Sequence, residues 1–72
     1  MTRDEWLAAF AATADVERPT NDEIRSLLDL AGTAAHASER TAAPIACWIA
    51  ARSELALDEL LRRAAQIASP DG

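Results

Sequence analysis

The chain has no lysine and no tyrosine, a single cysteine, a single histidine and only two glycines. Each scarcity excludes something. A lone Cys47 cannot close a disulfide within the chain, and its setting between Ala46 and Trp48 fits a small buried hydrophobe in a reducing compartment. His36 and Cys47, eleven residues apart, fall short of the usual four-ligand zinc set, so no metal and no cofactor is expected. With no glycine-rich loop there is no phosphate cradle of the nucleotide-binding kind. The seven cations are all arginines, scattered among twelve carboxylates for a net charge of −5. A chain without a basic stripe is a poor match for nucleic acid or for an anionic membrane surface. The opening "MTRDEW" lacks the charged-then-apolar layout of a secretory signal. The longest uncharged apolar run, Ala42 to Ala51, is ten residues, against the roughly 20 that a spanning helix needs. These exclusions point to a cytoplasmic protein with neither a nucleic-acid nor a membrane partner.

What is present is short and helix-forming. Seventy-two residues, half of them apolar, make a single domain over 1–72. A core of that size supplies only about 3–5 kcal/mol of net stability, so good helix packing or self-association has to support it. "TRDE" and "TNDE" each place a threonine three residues ahead of a glutamate, the pattern of a capping box, at Thr2/Glu5 and Thr20/Glu23. Apolar residues recur at helical spacing after each start: Trp6, Leu7, Phe10 and Ala14, then Ile24, Leu27, Leu28, Ala31, Ala34 and Ala35. The first pattern fades at "DVERP", where Pro19 ends any continuation, and the second helix frays near Ser38. Thr41 is a plausible third N-cap with Pro44 in the first turn, where its missing N–H costs nothing. "LALDELLRRAAQIA" carries Leu57, Leu60, Leu61, Ala64 and Ala65 on one face, with Asp58 positioned to pair with Arg62.

The expected fold is all-α, a compact bundle of four short helices near residues 3–14, 21–38, 42–52 and 57–68, here α1 to α4. The expected core is Trp6, Phe10, Leu27, Leu28, Ile45, Trp48, Ile49, Leu60 and Leu61. In α3 the bulk lies on one side (Ile45, Trp48, Ile49) and small residues lie opposite (Ala43, Ala46, Cys47, Ala50). A helix without a charge is normally enclosed, yet no helix of a four-helix domain can be enclosed all round. So α3 either lies across the other three or offers a face to a partner, with Ala43, Cys47, Trp48 and Ala50 as the candidate interaction face.

The chemistry-bearing side chains gather at the break between α2 and α3, "AAHASERTAAP". Residues seven and eleven apart nearly eclipse on a helix, so Arg25, Asp29, Gly32 and His36 form one line on α2. Gly32 costs the helix roughly 1 kcal/mol against Ala, which points to something packed close to the backbone. The bland reading is structural. His36 meets the carbonyls at the end of α2, and Arg40 bridges that end to those carbonyls, to Glu39 or to Asp29. The sharper reading is an anion site, with His36, Arg40, Glu39 and Asp29 around a phosphate or carboxylate. Catalysis is the weakest reading: Ser38 is two residues from His36, so the side chains diverge and no nucleophile meets a base. No enzyme is expected.

The stretch "LLDLAGTAAHASERTAAPIACWIAAR", Leu27 to Arg52, resembles a small actinobacterial helical domain of unknown function. A similar helical segment is appended to some molybdenum-cofactor guanylyltransferases. The shared pattern A-H-x-x-x-R-x-A-A-P falls on Ala35, His36, Arg40, Ala42, Ala43 and Pro44. The nucleotide-binding half of those enzymes has no counterpart here, so the resemblance implies no catalytic residue. It implies an accessory module associated with molybdenum-cofactor metabolism. Two functions follow: a non-catalytic interaction module that pairs with itself as a homodimer or with an unidentified protein, or a binding domain for a small anionic ligand using His36 and Arg40.

Overall fold

A computed structural model describes residues 1–68. It contains four α-helices, Arg3–Thr13, Asn21–Ala37, Ala42–Arg52 and Leu57–Ala68, in an all-α bundle. Both capping boxes form. Thr2 and Thr20 each accept a hydrogen bond from the backbone N–H three residues on, at 3.1 Å, and Glu5 and Glu23 each accept the reciprocal one, at 2.8 Å. The backbone N–H of Thr2, then its side chain, hold the Glu5 carboxyl below its ordinary pKa. α3 starts differently: Thr41 is already helical in its backbone angles and its side chain makes no cap bond. The turn is instead closed by the Ala42 and Ala43 N–H groups donating to the carbonyls of Glu39 and Arg40.

α1 ends at Thr13, ahead of Pro19, and is closed by a left-handed residue, Asp15, with φ 62°. The Val16 N–H donates to the Ala11 carbonyl at 3.0 Å, and the Asp15 N–H to the Ala12 carbonyl at 3.2 Å. This is the Schellman pattern, which usually carries glycine at the left-handed position. Aspartate is among the few side chains that tolerate it.

α2 is the central element. α3 and α4 both pack closely on it, and α1 has no comparable neighbour. Each helix presents a sheltered stripe at i, i+3, i+4, i+7 spacing. On α4 this is Leu57, Leu60, Leu61 and Ala64, as the periodicity predicts. On α3 it is the small side, Ala43, Ala46, Cys47 and the buried Ala50. The Cys47 thiol lies 3.9 Å from the Leu27 carbonyl, which fixes that side against α2. On α1 it is Asp4, Leu7, Ala8 and Ala11.

The buried apolar residues are Ala11, Ile24, Leu30 and Ala50, and this differs from the core expected from the sequence. Leu27, Leu60 and Leu61 are half-buried, but Trp6, Phe10, Leu28, Ile45, Trp48 and Ile49 are between 52% and 64% exposed. The physical reason is visible in α3. Alanines and a cysteine let two helix backbones approach closely, so the small stripe takes the contact and the bulky stripe is carried outward.

Candidate functional site

At the break between α2 and α3, the candidate from the sequence, the four side chains make no hydrogen bond or ion pair to one another among the described residues. Asp29, His36, Glu39 and Arg40 are all exposed. Glu39 accepts a long, 3.5 Å hydrogen bond from the Thr41 hydroxyl. Among the described residues neither His36 nor Arg40 makes a side-chain hydrogen bond or an ion pair, so the expected bridge from Arg40 to Glu39, Asp29 or the α2 carbonyls does not form. His36 borders a shallow depression with Gly32, Thr33, Ala37, Ala65 and Ala68, and Arg40 is not part of it. Among the described residues nothing lies within 4 Å of where a Cβ on Gly32 would be, so none of them is the close neighbour inferred from that glycine. The other expected pair also differs. Glu59, not Asp58, receives the cations of α4: Arg63 at 2.9 Å and Arg62 beside it. Those two guanidiniums, Arg63 first, hold the Glu59 carboxyl below its ordinary pKa, and Glu59 raises that of Arg62.

The candidate interaction face on α3 divides. Ala43, Cys47 and Ala50 turn toward α2, while Trp48 stands in solvent at 64% exposure beside Ile45 and Ile49. The Arg52 guanidinium sits 5.9 Å from the centre of the Trp48 ring and covers part of one face.

The feature that the sequence reading missed lies next to this ridge. The second half of α2, the first half of α3 and the end of α4 enclose an open groove of about 490 Å³. Leu30, Ala34, Ala42, Ala46 and Ala64 form its floor and sides, with Ile45, Ile49 and Ile67 along the edges. Its polar contributors are the hydroxyl residues Thr33, Ser38 and Thr41. Toward the other end of α3 the apolar surface continues past Ile49 to Ala50 and Leu60, with Arg63 at the border. Among the described residues no charged side chain that could bind an anion or move a proton lines the groove proper. Chemically it can exclude water from an apolar surface and little else. The sequence did carry a signal for it: alanines on both α2 and α3 at helical spacing, bordered by isoleucines, leave a trough between ridges.

The described residues hold no cluster of three or more His, Cys, Asp or Glu side chains able to bind a metal ion, and no helix among them is long and apolar enough to cross a membrane. No curated protein and no solved structure matches the chain. A family model described as "Domain of unknown function (DUF6457)" matches residues 1–70. An all-α domain matched over that whole length, with its alanine-rich α2–α3 segment inside the match, belongs to the DUF6457 family.

Proposed function

We propose that this chain is a non-catalytic helical interaction module whose binding surface is the α3 ridge and the groove beside it. The observation that carries the reading is the outward placement of Ile45, Trp48 and Ile49 along an apolar groove. Soluble monomers rarely leave contiguous apolar patches beyond roughly 300–600 Å² uncovered, and such patches mark interaction sites. A surface without charge recognises another apolar surface, so the partner is a protein: a second copy of this chain or an unidentified one. The exposed arginine and histidine at the α2–α3 break add no converging cations, so nothing favours the anion-binding alternative. The resemblance to the helical segment of molybdenum-cofactor guanylyltransferases supports a partner in molybdenum-cofactor metabolism and, with it, the cytoplasm as the place of action.

Sedimentation of wild type and Ile49→Asp tests the self-association form. Wild type should sediment above its 7.7 kDa mass at micromolar concentration. Ile49→Asp should shift the population to monomer without loss of helicity, because a carboxylate cannot be desolvated at an apolar contact. A wild type that holds one monomer mass across a wide concentration range rejects the homodimer.

A further inference from the structure

We infer that α1 is the element that fills the groove, and that it does so in trans: in a homodimer each copy seats its Trp6–Phe10 pair against the other copy's α2–α3–α4 groove. This rests on the interaction-module reading and adds to it the partner and the docking element.

Three observations lead here. The first is the state of α1. It is eleven residues long and has no closely packed helix neighbour. Helices shorter than about 12–15 residues are marginal in water on their own. Its two rings stack on each other, centroids 5.1 Å apart with 23° between planes, and both are more than half exposed. One cap and one narrow sheltered stripe do not account for an ordered helix that presents a Trp–Phe pair to water.

The second is area. A folded chain of 7.7 kDa is expected to show about 4,300 Å² of accessible surface. This one shows 5782 Å², an excess of more than about 1,000 Å² over that scaling. A standard interface buries roughly 800 Å² on each partner. Burying the excess in a pair of copies therefore requires a full-sized interface. The aromatics supply much of it, since a buried Phe or Trp removes about 150–250 Å² from water.

The third is topology. α1 joins α2 at its N-terminal end, and the groove lies along α2 from Leu30 to Ser38, toward its C-terminal end. Two copies with antiparallel α2 helices would bring the α1 end of each toward the groove end of the other, and one two-fold axis would close such an assembly. The groove's floor of alanines leaves room for rings, and its isoleucine edges offer them aliphatic walls.

Two measurements on the full chain test this. First, Trp6→Ala/Phe10→Ala should raise the dimer dissociation constant at least about 30-fold, the size expected for a pair of aromatic anchors. Circular dichroism should still report α2, α3 and α4, on which neither ring packs closely. Second, a Phe10→Cys chain mixed with an Ile45→Cys chain, both in a Cys47→Ser background, should give a mixed disulfide between unlike chains as the main product of mild oxidation. If wild type is a dimer but the double-alanine variant dimerises equally well, α1 is not the occupant and the α3 ridge alone carries the association. If the Phe10→Cys/Ile45→Cys double variant instead closes its disulfide within one chain, α1 covers its own groove and the exchange is wrong. A wild type that is monomeric at every concentration rejects the second copy as partner, and with it both the exchange and the homodimer.

Discussion

α3 and α4 lie on the same helix and do so with opposite kinds of surface. α4 turns three leucines toward α2 and its arginines toward water. α3 turns alanines and a cysteine toward α2, and leaves two isoleucines and a tryptophan outside. α4 is therefore a helix whose leucines are all sheltered within one chain, with Ile67 alone of its large apolar side chains left exposed. α3 is one whose burial has only begun, since its larger apolar side still faces solvent. The same holds for α1, whose sheltered stripe is Leu7, Ala8 and Ala11 while Trp6 and Phe10 remain out. Hydrophobic periodicity marks two stripes on such a helix, and only the available neighbours decide which is covered first.

The contrast can be sharpened at several points. The largest effect belongs to the shared support. Leu30 on α2 is 6% exposed, and Leu30→Ala should cost roughly 2–4 kcal/mol of unfolding free energy through lost burial and a cavity. Chemical denaturation measures it; a loss below about 1 kcal/mol would mean that α2 is not where the stability resides.

Next come the two capping boxes, equal in geometry and unequal in setting. Thr20→Ala removes the start of α2 and should cost about 1 kcal/mol of global stability. Thr2→Ala, measured at dilutions where the chain is monomeric, should lower helicity at α1 with little change in the unfolding midpoint. Equal midpoint shifts would show α1 to be as tightly coupled to the body as α2 is.

Gly32→Ala should raise stability by about 0.5–1 kcal/mol. The residue is within a regular helix, its φ is not positive, and an added methyl meets no atom of the described residues within 4 Å. A destabilised variant would show that something does pack against that backbone in solution.

Arg40→Ala should shift the unfolding midpoint by no more than about 0.5 kcal/mol, as for a surface residue outside any network. The exposed cluster on α4 is smaller still. Because pairing holds the folded-state pKa of Glu59 below its ordinary value of 4.5, its contribution is present above that pH and is lost as the pH falls through the folded value. Glu59→Gln should flatten that part of the acid limb, and added salt should do the same to wild type.

The helix boundaries were legible in the sequence to within one residue at each end, because capping boxes, Pro44 and apolar spacing are local signals that tertiary contacts did not override. What closes α1 was less legible than where it ends: the closure depends on Asp15 entering a left-handed conformation, and aspartate advertises that far more weakly than glycine does. Trp6, Phe10, Leu28, Ile45, Trp48 and Ile49 lie outside the core expected of them for a different reason. Residue size shows what must eventually leave water, but not whether a single copy of the chain does the covering. The break at His36 and Arg40 attracted attention through residue type alone. In three dimensions neither side chain makes a hydrogen bond or ion pair among the described residues, whereas the groove is made of residues too ordinary to stand out.

One consequence of how α3 is seated concerns time and not structure. The thiol of Cys47, half-buried, points at the Leu27 carbonyl across the α2–α3 contact. A reagent of disulfide size gains fuller access to it when α3 lifts away from α2, so opening accelerates its labelling. With no second cysteine to compete, the labelling rate of this one sulfur becomes a clock for that opening. Read against denaturant, it separates transient detachment of α3 from unfolding of the whole chain, without any label having to be engineered in.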